Sequence, residues 1–194
     1  MKKNLIFLAI LAVCLLVFIN VHNNNQVRIP NALESAQDIA DTAVGKTYAP
    51  GEGAAKDPVK AVECFRKAAD NGYAEAQYCL ADCYQNGVGV TADQVKAVEL
   101  FRKAAENGYA KAQCLLGVFY KNGFASIAKN PVTAVDWLRK AAEQGNADAQ
   151  CFLGNCYEDG LGVAQDQEKA LVWYQKAATQ GQADAKKRID VLKK

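Results

Sequence analysis

The chain repeats itself at a step of about 36 residues, and no other feature restricts its fold as strongly. Four segments align, 40–75, 76–111, 112–148 and 149–184, opening on Ala40, Ala76, Ala112 and Ala149. A Gly recurs late in each frame, at 72, 108, 145 and 181. Lys60-Ala61, Lys96-Ala97 and Lys169-Ala170 recur as well, with Thr133-Ala134 in the third copy. A fixed period of this length marks stacked supersecondary units, each too small to bury its own apolar face.

Each unit reads as two helices. Ala76, Leu80, Ala81, Cys83 and Tyr84 share one face at helical spacing, which predicts an amphipathic first helix. Gly87-Val88-Gly89-Val90 follows as a turn, its glycines allowing the positive φ that a reversal needs. Asp93 then stands where a side-chain oxygen caps the next helix, as do Asp57, Asn130 and Asp166, and Pro58 and Pro131 fall at the first helical position. The second helix should run from Val95 to Glu106 and stop at Asn107-Gly108. Tyr48, Tyr84, Tyr120 and Tyr157, with Phe65, Phe101, Trp137 and Trp173, read as core aromatics. The third unit is one residue longer, and Ala125 replaces its second turn Gly, so that loop must turn differently.

The expected fold is therefore all-α, a solenoid of four helix-turn-helix repeats. At its end, residues 185–194 form a capping helix with Ala185, Ile189 and Leu192 inward, and Lys186, Lys187, Arg188, Lys193 and Lys194 toward water. Asn31 can cap a helix that lengthens the first unit, giving a repeat domain over 31–194. Ahead of it, Lys2 and Lys3 precede an apolar run from Leu5 to Ile19, and residues 1–22 read as a helical signal anchor or signal peptide. Charge before the run keeps that end cytoplasmic. No small-x-small cleavage site follows, which favours an uncleaved anchor, with 23–30 as a polar tether. The domain would then face the periplasm from the inner membrane, or be secreted there.

The stretch Ala149-Gln150-Cys151-Phe152-Leu153-Gly154-Asn155-Cys156-Tyr157-Glu158-Asp159-Gly160-Leu161-Gly162-Val163, with Asp166, Lys169-Ala170, Trp173-Tyr174 and Gly181, resembles the SEL-like repeat family, a relative of the tetratricopeptide repeats. The resemblance covers 40–184. It implies a right-handed superhelix of helix pairs that binds a protein or peptide on its concave face. If the first helix of each unit lines that face, the outward positions are Thr42, Lys46 and Ala49; Tyr78, Asp82, Gln85 and Asn86; Cys114, Val118, Lys121 and Asn122; and Cys151, Asn155, Glu158 and Asp159. Of these, Lys46, Tyr78, Asp82, Gln85, Asn86, Val118, Lys121, Asn122, Asn155, Glu158 and Asp159 are the candidate partner-binding residues. Asn and Gln amides can hydrogen-bond a peptide backbone whatever its sequence.

The same residues argue against chemistry. The single His22 is remote in sequence from every Cys and from Ser126, so a nucleophile has no base beside it. Cys79 and Cys83 share a helix face, but no CxxC and no nearby His suggest a metal, and no cofactor is expected. A net charge of +2 with interspersed signs gives no case for nucleic acid. A cysteine-rich branch of the family pairs cysteines seven apart; the matching positions here are Ala69 and Ala76. Cys64 lies level with Cys79 and Cys83 across one hairpin, which leaves one disulfide open. The reading is a non-catalytic interaction scaffold of the cell envelope. The alternative, from that cysteine-rich branch, is a β-lactam-binding protein or a cell-wall hydrolase.

Overall fold

The computed structural model describes residues 38, 41–43, 46 and 57–192. The apolar N-terminus, the tether, the Asn31 cap, Ala49, Lys193 and Lys194 lie outside the described residues. From 57 onward the chain forms α1 (Pro58–Asp70), α2 (Ala74–Asn86), α3 (Gln94–Glu106), α4 (Ala110–Asn122), α5 (Pro131–Glu143), α6 (Ala147–Asp159), α7 (Gln167–Thr179) and α8 (Ala183–Leu192). Each packs against its neighbours in sequence, as a solenoid requires.

The helix boundaries follow from the residues that cap them. Asp57, Asp93, Asn130 and Asp166 each accept a backbone N–H three residues on, at 2.9–3.2 Å. Such a cap is worth about 1 kcal/mol. α1, α3, α5 and α7 end on Gly72, Gly108, Gly145 and Gly181, at φ between +88° and +90°. The next N–H, of Tyr73, Tyr109, Asn146 and Gln182, reaches back to the carbonyls of Ala68, Ala104, Ala141 and Ala177 at 2.9–3.2 Å. That closes the last turn and aims the chain into the following unit.

The longer turns do more than reverse the chain. A Cβ on Gly89 would lie 2.1 Å from the Pro58 carbonyl oxygen, and one on Gly162 would lie 2.2 Å from that of Pro131. Each turn thus rests on the start of the preceding unit's second helix. In the third unit Ala125 holds φ +48°, and the loop closes through paired backbone bonds between Phe124 and Ile127. The Phe124 ring stacks on Phe119 at 4.2 Å. Phe119 fills the slot that Cys83 and Cys156 occupy elsewhere, so the bulkier ring and the longer loop accommodate each other.

The structure corrects one core assignment. Leu138 and Tyr174, not Trp137 and Trp173, share the fully buried slot of Phe65 and Phe101. Counting from the buried alanines 61, 97, 134 and 170 gives this register directly; counting a constant 36 from Phe101 misses it by the inserted residue. Trp137 and Trp173 fall one position earlier, with Cys64 and Leu100, and are partly exposed. Lys140 and Lys176 cover their faces at 4.3 and 4.1 Å from the ring centroids. Close helix approach is also tighter than the sequence suggests. Ala81 at the same repeat position suggests room for Ala at Gly117, yet a Cβ there would lie 2.6 Å from Leu138 Cγ.

A polar seam, not foreseen from the sequence, joins the units. Gln77, Gln113 and Gln150 occupy one repeat position and are each only 5% exposed. Their Nε2 groups donate to the carbonyls of Ala69, Ala105 and Ala142 in the preceding unit, at 3.0–3.2 Å. Their Oε1 atoms accept from Asn107, Gln144 and Gln180 of their own unit, at 2.7–3.0 Å. Each buried amide is satisfied on both sides, which makes it a specific joint rather than a buried liability.

Candidate partner-binding face

α2, α4 and α6 bury one side, carrying Leu80, Leu116 and Leu153, in the core. Their other side forms a continuous strip. Asp82, Asn86, Asn122 and Asp159 are exposed on it, while Gln85, Val118, Lys121, Asn155 and Glu158 are partly exposed. Lys46 joins it by pairing its Nζ with Glu75 Oε1 at 2.5 Å. Four of the candidates, Lys46, Tyr78, Asp82 and Asn86, line one open groove of about 350 Å³, with Phe65 and Val88 among its apolar walls. The candidates on α4 and α6 lie outside that groove.

Three positions read as outward are not. Thr42, Cys114 and Cys151 are 1%, 7% and 3% exposed. Their shared slot faces the adjoining unit: Cys114 packs with Leu138 and Leu153, and Cys151 with Tyr174 and Ala185. Tyr78 holds the same slot and is therefore half buried, its ring 5.2 Å from that of Phe101 and 5.3 Å from that of Tyr109. The strip is narrower than helical periodicity alone implies. It also carries an apolar row that the sequence reading passed over: Cys79, Leu115 and Phe152, partly buried at one repeat position. Apolar residues at the same place in three copies were the available signal.

At the far end, the strip is tied to α8. The Tyr174 hydroxyl lies 2.5 Å from Asn155 Oδ1 and 2.6 Å from Glu158 Oε2. Arg188 holds both Glu158 oxygens, its Nε 3.0 Å from Oε2. Arg188 thus faces this network rather than open water, a correction to the capping-helix reading. Burial by itself would raise the Glu158 carboxyl, but the hydrogen bonds from Arg188 and Tyr174 outweigh it and hold the group below its usual range. A depressed carboxylate stabilises the fold above its unfolded value and loses that contribution as pH falls through the folded one. Acidification below about pH 4 should accelerate hydrogen exchange in α8 relative to α3. In Glu158→Gln, α8 should exchange fast already at pH 7, and slow exchange there would show the network does not hold the helix.

The thiols are ill placed for chemistry. All six described cysteines are free. Burial pushes the thiols of Cys79 and Cys83 up to about 11 and that of Cys114 to about 12. Little nucleophilic thiolate exists near neutrality at such values. Among the described residues, no group of three or more His, Cys, Asp or Glu side chains is arranged to hold a metal ion. No described helix is long and apolar enough to cross a membrane.

A family model described as Sel1 repeat matches residues 39–73, 74–109, 110–146 and 147–182. No curated protein sequence matches. Among solved structures, a Sel1 repeat protein from Oxalobacter formigenes is 35% identical with a TM-score of 0.75, over 83% of this chain and 46% of the other. A protective antigen of uropathogenic Escherichia coli strains, displaying an SLR fold, is 37% identical with a TM-score of 0.72, over 83% and 34%. The chain thus spans less than half the length of either. Cysteine rich protein B of Helicobacter pylori is 26% identical with a TM-score of 0.53, over 70% of this chain and 97% of the other.

Proposed function

Since this chain belongs to the Sel1 repeat family, whose members serve generally as protein-interaction scaffolds, we propose that it binds a protein or peptide along the strip formed by α2, α4 and α6. The observation that carries this reading is the groove at the start of the strip, lined both by Lys46, Asp82 and Asn86 and by the apolar Phe65, Tyr78 and Val88. Apolar and polar groups together are the usual composition of a protein-recognition patch. The raised thiols and the solitary imidazole of the sequence support a non-catalytic role over β-lactam or cell-wall hydrolysis. The charged and apolar N-terminal segment, Lys2 to Ile19, supports tethering at the inner membrane with the repeats on the periplasmic side.

A matched pair of triple variants tests the face. Asp82→Ala, Lys121→Ala and Asn122→Ala together should weaken capture of the partner from envelope extracts at least about tenfold, the effect of 1.4 kcal/mol spread over three contacts. These three are chosen because Tyr78 and Asn155, though in the strip, contact other helices, whereas Asp82 bonds only Asn86 of its own helix. The control is Lys67→Ala, Lys103→Ala and Lys140→Ala on the outer helices, which should leave affinity within a factor of about three, since exposed charges contribute little. Loss of capture in the control alone would place the partner on the opposite face.

A further inference from the structure

The two helix sets of this array treat charge differently. On the second helices α1, α3 and α5, signs repeat at fixed positions, Glu63, Glu99 and Asp136 in one row and Arg66, Arg102 and Arg139 in another, while α7 has Val172 and Gln175 there. On the first helices, the sign reverses from α2 to α4 and again from α4 to α6. α2 carries only acids, Glu75 and Asp82; α4 carries only bases, Lys111 and Lys121; α6 carries only acids, Asp148, Glu158 and Asp159. The row formed by Glu75, Lys111, Asp148 and Asp184 changes sign only at Lys111, which sets one basic unit between acidic ones at a single repeat position. Stacking alone does not require it, because the second helices stack equally well with one repeated pattern.

The alternation is also left unused at its centre. Lys46 pairs with Glu75 at one end and Arg188 with Glu158 at the other. Between them, Asp82, Lys111, Lys121 and Asp159 make no ion pair with any described residue. Asp82 is met only by the amide of Asn86, at 2.9 Å from its carboxylate.

Resting on the proposed binding strip, we infer that this face recognises an extended peptide segment whose charges alternate in the complementary order: a basic residue over α2, an acidic one over Lys111 and Lys121 of α4, and a basic one over α6. Packed helices lie about 10 Å apart, and three residues of an extended polyproline II segment make one turn, span about 9 Å and return the side chain to the same face. The matching motif is therefore Lys-x-x-Glu-x-x-Lys. Charge order of this kind selects the partner and its direction across the units more than it adds raw affinity. The row of Cys79, Leu115 and Phe152 supplies apolar contact for the intervening residues.

The test uses the full chain in detergent and three labelled peptides of equal length, read by fluorescence anisotropy at about 50 mM salt, where a Debye length exceeds 10 Å. They carry Lys-x-x-Glu-x-x-Lys, its sign-inverted Glu-x-x-Lys-x-x-Glu, and an uncharged version. The first should bind about tenfold tighter than the second, and Lys111→Glu with Lys121→Glu should abolish or reverse that preference. Circular dichroism on the double variant checks that the exposed changes leave the helices intact. Equal binding of both charged peptides, weakened by the strip triple, would overturn the charge register while leaving the strip as the binding face. Equal binding weakened only by the outer-helix triple would overturn both. Absence of binding by all three would overturn the register.

Discussion

Leu116→Ala should destabilise the array by about 2–5 kcal/mol, the largest single-residue loss expected from emptying a core position. Leu116 has no exposed surface, and it stands in α4 beside Phe101 and Phe119 at the middle of the repeat stack. Its neighbour Gly117 leaves no slack to close the void, because Leu138 already fills the space above it. In a solenoid the damage also propagates, since each unit is stabilised mainly by its neighbours. Urea unfolding followed by circular dichroism is the measurement. A loss below about 1 kcal/mol would mean that the apolar stripe of the first helices is not the core.

Gln113→Leu should cost about 1–2 kcal/mol, although it replaces a polar residue by an apolar one of similar size. The variant removes the side-chain donor to the buried Ala105 carbonyl, which keeps the Gly108 N–H at 3.0 Å, and the loss of that second bond carries most of the penalty. It also strands the Gln144 amide, which lies nearer solvent and can turn to water. Gln144→Ala is therefore the control and should cost less than about 1 kcal/mol. Equal losses in the two variants would mean that the amide pair, not the buried carbonyl, sets the energy. The position tells the same story at α8, where Lys186 replaces the Gln, is exposed, and makes no such joint.

The sequence by itself determined the number of units, the helix pair within each, and almost every boundary. The reason is that these depend on local chemistry: an Asp or Asn oxygen three residues before its N–H, a Gly that accepts positive φ, a Pro whose missing donor is harmless at a first turn. It also showed that the third loop had to differ, because Ala125 stands where the second and fourth units have their second turn glycine and that loop is one residue longer.

Only the tertiary structure decided what depends on neighbouring units. Thr42, Cys114 and Cys151 point outward on an isolated helix and inward in a stack, since the adjoining unit covers a face that periodicity counts as free. Trp137 and Trp173 lose the core to Leu138 and Tyr174, a register that the i, i+4 count from Ala134 and Ala170 carries and that a constant step of 36 between units hides. The Gln seam could be counted in the sequence but not interpreted there, for a polar side chain on an apolar stripe is costly until the carbonyl that receives it is in place. Glu158 and Arg188 are thirty residues apart, and their pairing exists only because α8 folds back across α6. Local propensity placed the helices; the contacts between units decided which of their side chains remain available to a partner.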